Sequence, residues 1–228
     1  MFIFLSANLL AAPLAKPVNL RTEYLENPIG LDNMHPRLTW MLADSRQGAK
    51  QTAYQIFAGT DSAEVSQGKG NSWTTAKLIS SNILATYQGK ALQPFTKYYW
   101  RVNVWDMHGV KTSSSGVNSF EMGMLKMTNW KGSWISDEQG VNVKPAPYFR
   151  TTFSTGKKVK SARAYIAVAG LYELYINGEK IGNHRLDPMY TRFDRRTLYV
   201  TYDVTAQIAA GKNAIGVLLG NGWYNHQS

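Results

Sequence analysis

The sequence predicts an all-β protein made of two successive β-sandwiches. Short runs of alternating apolar and polar residues recur between turn signals along most of the chain, the two-residue period of a half-buried strand. Thirteen Tyr, seven Trp and 19 Gly in 228 residues suit strands and tight turns. Stretches with a helical period are scarce. The length leaves room for one large or two ordinary domains, and an apolar content of 44% suffices for real cores.

The chain opens on an apolar run, F-I-F-L-S-A-N-L-L-A-A-P-L-A, at residues 2–15. It is too short to span a bilayer and suits the core of an export signal, so residues 1–15 are read as a signal peptide and the protein as secreted or periplasmic. The signal is atypical, because no Lys or Arg precedes the apolar run.

A first domain is expected over residues 17–125. Strands are predicted at 18–24, at 37–42 with Leu38, Trp40 and Leu42 on one face, at 54–58, and at 84–87. The strongest is 98–105, which places Tyr98, Trp100, Val102 and Val104 on one side. A turn at 106–109 and a last strand at 120–122 follow. Leu92-Gln93-Pro94, four residues before Tyr98, resembles a tyrosine corner, in which a Tyr at a strand start bonds back to upstream backbone. With Trp40 and no cysteine pair, this is similar to a fibronectin type III domain, in the immunoglobulin-like class.

Residues 126–147 read as a connector and domain entry, with an irregular stretch at 137–147 carrying Gly140, Pro145 and Pro147. A second domain, with strands in residues 148–228, begins at 148–153. The run 159–169 alternates with Ala162, Ala164, Ile166 and Val168 on one side; 171–176 follows, with Gly170 allowing a bend. Asn177-Gly178 is the strongest hairpin signal in the chain, because both central positions of a type I′ turn need positive φ. Strands at 198–202 and 214–219 remain, separated by a short helical turn after Asp203-Val204-Thr205. The expectation is a jelly-roll, galactose-binding-like sandwich that lacks its last strands, with exposed apolar surface that makes the chain less soluble than residues 17–125 alone.

The formal charge of +10 raises nucleic-acid binding, but the cations are spread from Lys16 to Lys212. The local groups are Lys157, Lys158 and Lys160, and Arg192, Arg195 and Arg196, the latter broken by Asp194. No base-stacking aromatics interleave with either, so a basic soluble surface is expected, with no nucleic-acid partner. The absence of cysteine excludes disulfides and thiolate metal sites, and His35, His108, His184 and His226 are too dispersed for a zinc site. Gly220-Asn221-Gly222 lacks the Lys and following helix of a phosphate loop.

Several motifs stand in a characteristic order: Trp130-Lys131 with Trp134-Ile135; Gly170-Leu171-Tyr172-Glu173-Leu174-Tyr175-Ile176-Asn177-Gly178; Tyr202-Asp203-Val204-Thr205; and the run from Gly211-Lys212-Asn213 to Gly220-Asn221-Gly222-Trp223-Tyr224. This series, with Tyr99-Trp100-Arg101-Val102 and Val104-Trp105-Asp106 before it, resembles the N-terminal region of bacterial α-L-rhamnosidases of glycoside hydrolase family 78. The resemblance covers residues 17–228. It implies an exported enzyme that removes terminal non-reducing α-L-rhamnose with inversion, one carboxylic acid protonating the leaving oxygen while a carboxylate activates water. It places both groups in an α/α barrel that follows these domains, so no catalytic residue is assigned here and the chain alone is expected to be inactive. A non-catalytic carbohydrate-binding or adhesion protein, or the front end of a β-galactosidase-like enzyme, are the alternatives.

The candidate contact residues lie at the polar, aromatic end of the second domain. Asp187, Tyr190 and Asp194 share one loop, where a tyrosine can stack on a sugar face while carboxylates bond its hydroxyls; a loop packing on a neighbouring domain is the plainer reading. Asn221, Trp223, Tyr224 and Asn225 form a second group, a sugar platform or an anchor against the barrel. Glu173 and Glu179 flank the Asn-Gly turn and read as solvated strand residues rather than a catalytic pair. The resemblance implies calcium in some members, but no metal site can be carried onto these residues.

Overall fold

The computed structural model describes residues 15–114, 116–137 and 146–224. The signal expectation therefore falls almost wholly outside the described residues, as does most of the irregular 137–147 stretch. The chain divides into two compact units, Met1–Asn129 and Trp130–Ser228.

In the first unit, β1 (Lys16–Thr22), β2 (Arg37–Ala43) and β6 (Leu84–Thr86) form a three-stranded antiparallel sheet in the order β1-β2-β6. The second sheet runs β4 (Trp73–Thr74), β3 (Gln51–Gly59), β7 (Lys97–Asp106), β8 (Lys111–Ser113), with β5 (Leu78–Ile79) also on β3 and β9 (Asn118–Glu121) also on β7. Alternation dictates the core: Leu38 and Trp40 from one sheet meet Ile56, Trp100, Val102 and Val104 from the other, all buried. Each central indole has its N–H satisfied, Trp40 Nε1 donating to Gln51 Oε1 at 2.9 Å and Trp100 Nε1 to Thr22 Oγ1 at 3.1 Å. The tyrosine corner forms: Tyr98 OH accepts the Gln93 N–H at 2.9 Å while its ring stacks on Phe120 at 5.4 Å.

The loop at the start of β3 is tied to the end of β7 by ions. Arg46 Nη2 bonds Asp44 at 2.5 Å and Asp106 at 2.8 Å, and Asp106 also accepts the amides of His108 and Val110 at 2.9 and 2.8 Å, closing the predicted turn. Hydrogen bonds from Arg46 hold the Asp44 carboxyl down at about 2.

The first unit departs from the sequence reading at two places. The first strand stops at Thr22 rather than at 24, because Glu23 and Tyr24 take left-handed φ values of 50° and 64°. The stretch between β3 and β6 holds a short helix, α1 (Ser62–Ser66), and the brief strands β4 and β5. Asp61 accepts the amides of Ala63 and Glu64, which starts that helix. These elements are too short to leave a periodic signal.

The second unit has one sheet in the order β10 (Tyr148–Thr155), β15 (Gly211–Gly220), β12 (Leu171–Ile176), β13 (Glu179–Lys180), and a two-stranded sheet of β11 (Arg163–Ala167) with β14 (Tyr199–Asp203). The predicted run 159–169 is strand only over β11; Ala162 N–H turns instead to Thr205 Oγ1 at 2.9 Å. Tyr172, Leu174 and Ile176 form the buried row of β12, and Ala164, Ile166, Val200, Ile215 and Val217 pack on them half-buried. A groove of about 460 Å³ remains between the sheets, lined by Phe153, Ile166, Ile176, Ile208, Ile215 and Val217 among others. Among the described residues four strands face two, which leaves part of the larger sheet uncovered.

Asn177-Gly178 forms the predicted turn, at φ 52° and 88°, and leads into β13. Its asparagine also ties the hairpin to β15. Asn177 Nδ2 donates to Asn213 Oδ1 at 2.9 Å and Oδ1 accepts the Ala214 amide at 2.8 Å. Asn213, itself buried, bonds Ala209 through both ends of its amide. The short helical turn at Thr205–Gln207 is present, and Asp203 Oδ1 accepts the Thr205 N–H at 3.0 Å.

Candidate functional site

The loop between β13 and β14 and the turn after β15 come together through four aromatic rings. Tyr190 meets Trp223 edge-on with centroids 6.1 Å apart and Phe193 at 5.7 Å; Phe193 in turn meets Tyr224 at 5.7 Å. Tyr190, Trp223 and Tyr224 are 61%, 67% and 64% exposed, so the cluster stands on the surface rather than in a core. Rings of this size left this exposed are the side chains that stack on apolar sugar faces or anchor a protein interface.

Glycines permit this arrangement. A Cβ on Gly170 would lie 2.8 Å from Gly220 O, and a Cβ on Gly222, at φ 51°, would lie 3.2 Å from Gly170 Cα. The segment bearing Trp223 therefore crosses closely over the start of β12. Asn221 lies in this crossing, half-buried, with its carbonyl 3.1 Å from the place of a Gly170 Cβ.

The carboxylates behave differently from the rings. Asp187 Oδ2 accepts from Tyr202 OH at 3.3 Å and pairs with His184 Nδ1 at 3.0 Å, and the Tyr172 amide donates to its carbonyl at 3.1 Å. Tyr202 OH lies 3.0 Å from Tyr172 OH. Burial pushes both phenols upward, Tyr172 further through its bond to Tyr202. Asp187 thus fastens the base of the loop to the two sheets. Asp194 is bound by Arg192 at 2.8 and 2.9 Å, with Arg195 at 3.7 Å. Both carboxylates are engaged by other side chains, three of them basic, so they do not make a donor set suited to calcium. Among the described residues no group of three or more His, Asp or Glu converges as for a metal.

The structure thus gathers Tyr190, Trp223 and Tyr224, and leaves Asp187, Asp194 and Asn221 in supporting positions; Asn225 lies outside the described residues. Phe193, which joins the two halves, is missing from the sequence reading. Its spacing three residues after Tyr190 was the available signal. Glu173 and Glu179 do not form a pair: Glu173 is held by Lys180 and by Tyr175 OH at 2.7 Å, and the register sets Glu179 opposite Ile176. The bond from Lys180, then that from Tyr175, lowers the Glu173 carboxyl.

Comparison with known proteins follows this organisation. Residues 17–126 match the Rha78A-like N-terminal immunoglobulin domain, and residues 157–228 match the α-L-rhamnosidase N-terminal domain. An α-L-rhamnosidase of Formosa agariphila is 34% identical over 221 residues, covering 87% of this chain and 23% of its own length. One from Alteromonas sp. is 34% identical over 223 residues, covering 92% and 24%. The solved α-L-rhamnosidase from Dictyoglumus thermophilum superposes with a TM-score of 0.86 at 41% identity, covering 92% of this chain and 25% of that one. The native enzyme from Aspergillus terreus gives 0.77 at 27% identity, covering 92% and 24%. The chain therefore spans about a quarter of the length of the relatives it matches.

Proposed function

From the premise that this chain belongs to the N-terminal region of the α-L-rhamnosidase family, we propose that it is the non-catalytic front part of an exported enzyme that removes terminal α-L-rhamnose from glycans. The observation that carries this reading is the succession of two domain matches, in family order, across a quarter of the relatives' length. Inverting hydrolysis needs an acid and a base about 6.5–9.5 Å apart across a water-holding gap. Among the described residues Glu173 is braced by Lys180, Asp187 by Tyr202, Asp194 by Arg192, Glu23 by Arg37, Asp203 by Arg163, and Asp44 and Asp106 by Arg46. Catalysis is accordingly assigned to polypeptide outside these 228 residues. Export rests on the apolar run at residues 2–15.

The test is cleavage of an aryl α-L-rhamnoside. The full-length polypeptide carrying this chain is expected to turn it over, and the purified 228-residue chain to give no rate above a heat-inactivated control. Turnover by the chain alone would overturn the reading.

The exposed ring cluster favours one added role, contact with rhamnose-bearing glycan. Titration of L-rhamnose into the chain is expected to change tryptophan fluorescence, and Trp223→Ala to abolish the change. An unchanged signal in the parent chain would instead assign the rings to a protein contact.

A further inference from the structure

The turn between Thr22 and Leu25 is built against the preference of its residues. Thr22 and Leu25 exchange two main-chain hydrogen bonds at 3.0 Å, closing a two-residue turn with Glu23 and Tyr24 at φ 50° and 64°. Asn177-Gly178 closes a turn of the same kind with residues that tolerate left-handed backbone. Glu and Tyr do not, and Asn27, at φ 46°, adds a third left-handed residue within five.

Arg37 holds the turn in this state. Its Nε donates to both Glu23 oxygens at 3.2 Å, Nη2 to Oε2 at 2.5 Å, and its amide to Oε1 at 2.6 Å. Asn33 Nδ2 adds a bond at 3.1 Å, and the Glu23 N–H donates to the Arg37 carbonyl at 2.8 Å. The guanidinium carbon lies 4.6 Å from the Tyr24 ring centroid. With this much bracing, Tyr24 and Leu25 are fixed yet point into solvent, 50% and 56% exposed, with Met34 in the next loop also exposed. A rigid tyrosine backed by arginine pairs two of the residue types enriched in interface hot spots. Strained backbone that is kept in place by its surroundings clusters where a protein contacts something.

We propose that the Glu23–Tyr24 turn is a docking point for another part of the same enzyme polypeptide, lying outside these 228 residues. The proposal rests on reading the chain as the front of a longer α-L-rhamnosidase. Two observations select this occupant. Relatives 34% identical to the chain are covered by it over only 23% of their length, so most of the protein surface available in cis lies elsewhere. Both Glu23 oxygens are already engaged by Arg37, and one by Asn33 as well, which disfavours a sugar needing hydroxyl acceptors beside the ring.

Hydroxyl-radical footprinting of Tyr24 tests the contact in the 228-residue chain and in the full-length polypeptide. Labelling is expected to be at least about fivefold slower in the full-length protein, as for a residue at the water-excluded centre of an interface. Tyr24→Gly relaxes the left-handed position, so the melting temperature of the 228-residue chain should stay within about 3 °C of the parent while that of the full-length protein falls by about 5 °C or more. Equal labelling in both proteins, or equal shifts in melting temperature, overturns the proposal. Labelling that slows as the short chain is concentrated identifies a second copy as the occupant and also overturns it. A full-length protein that protects Tyr24 but does not cleave rhamnosides supports the docking and contradicts only the activity assigned above.

Discussion

The two sandwiches follow the same alternation rule and reach different degrees of closure. In the first unit Leu38, Ile56, Trp100, Val102, Val104 and Phe120 are all 0% exposed. In the second, Leu174 and Ile176 reach 2%, but their partners Ile166, Ile215 and Val217 remain half-buried beside an open groove. The first core holds Trp40, Tyr87, Tyr98, Trp100 and Phe120 beside its aliphatic side chains, but residue type alone does not explain the contrast. Strand count across the layers does. A three-stranded sheet facing a broader one encloses the first core, whereas β11 and β14 alone face four strands in the second. Alternation sets which face turns inward; the number of opposed strands sets whether that face becomes dry.

Core truncation gives the largest expected contrast. Trp100→Ala should cost about 3–5 kcal/mol, because it empties a closed site and removes the partner of Thr22 Oγ1. Ile166→Ala, at a half-buried position beside the groove, should cost under about 2 kcal/mol, since part of its surface is already wet. Urea unfolding of each variant measures both, and equal costs would break the comparison.

Acid should separate the units by a smaller margin. Asp44, held at about 2 against an ordinary 3.8, and Asp106, also lowered, belong to the first unit. A carboxylate whose folded pKa is depressed contributes stability that is complete above its unfolded pKa and is lost as pH falls through the folded one. The first unit should therefore hold its full stability above about pH 5 and lose this contribution progressively toward pH 2, and Arg46→Met should flatten that decline. A slope unchanged by the substitution would show that the Arg46 bridge does not set it.

What was legible in the sequence was local. The alternation of β7, the Asn177-Gly178 turn and the Tyr98 corner each depend on neighbours a few residues apart, and each formed where expected. The Glu23–Tyr24 turn looks like strand in the sequence because its stabilising partner, Arg37, lies 14 residues from Glu23 and neither turn residue is Gly or Asn. The site divides in the same way. Tyr190, Trp223 and Tyr224 could be named by type and exposed position. That Phe193 links the two segments, and that Asp187 turns back toward Tyr202, depends on contacts between segments far apart in the chain. Asn177 and Asn213, prominent in the motifs behind the family resemblance, bond each other and adjacent backbone. They mark the fold of the second unit rather than a reacting centre.

Amide hydrogen exchange of the 228-residue chain tests the contrast between a closed and an open sandwich most directly. The account predicts that amides of β3 and β7 exchange only through global unfolding of the first unit, while those of β11 and β14 exchange through smaller openings, at least about a hundredfold faster. Equal protection in β7 and β11 would contradict it, because the second core would then be as well closed as the first.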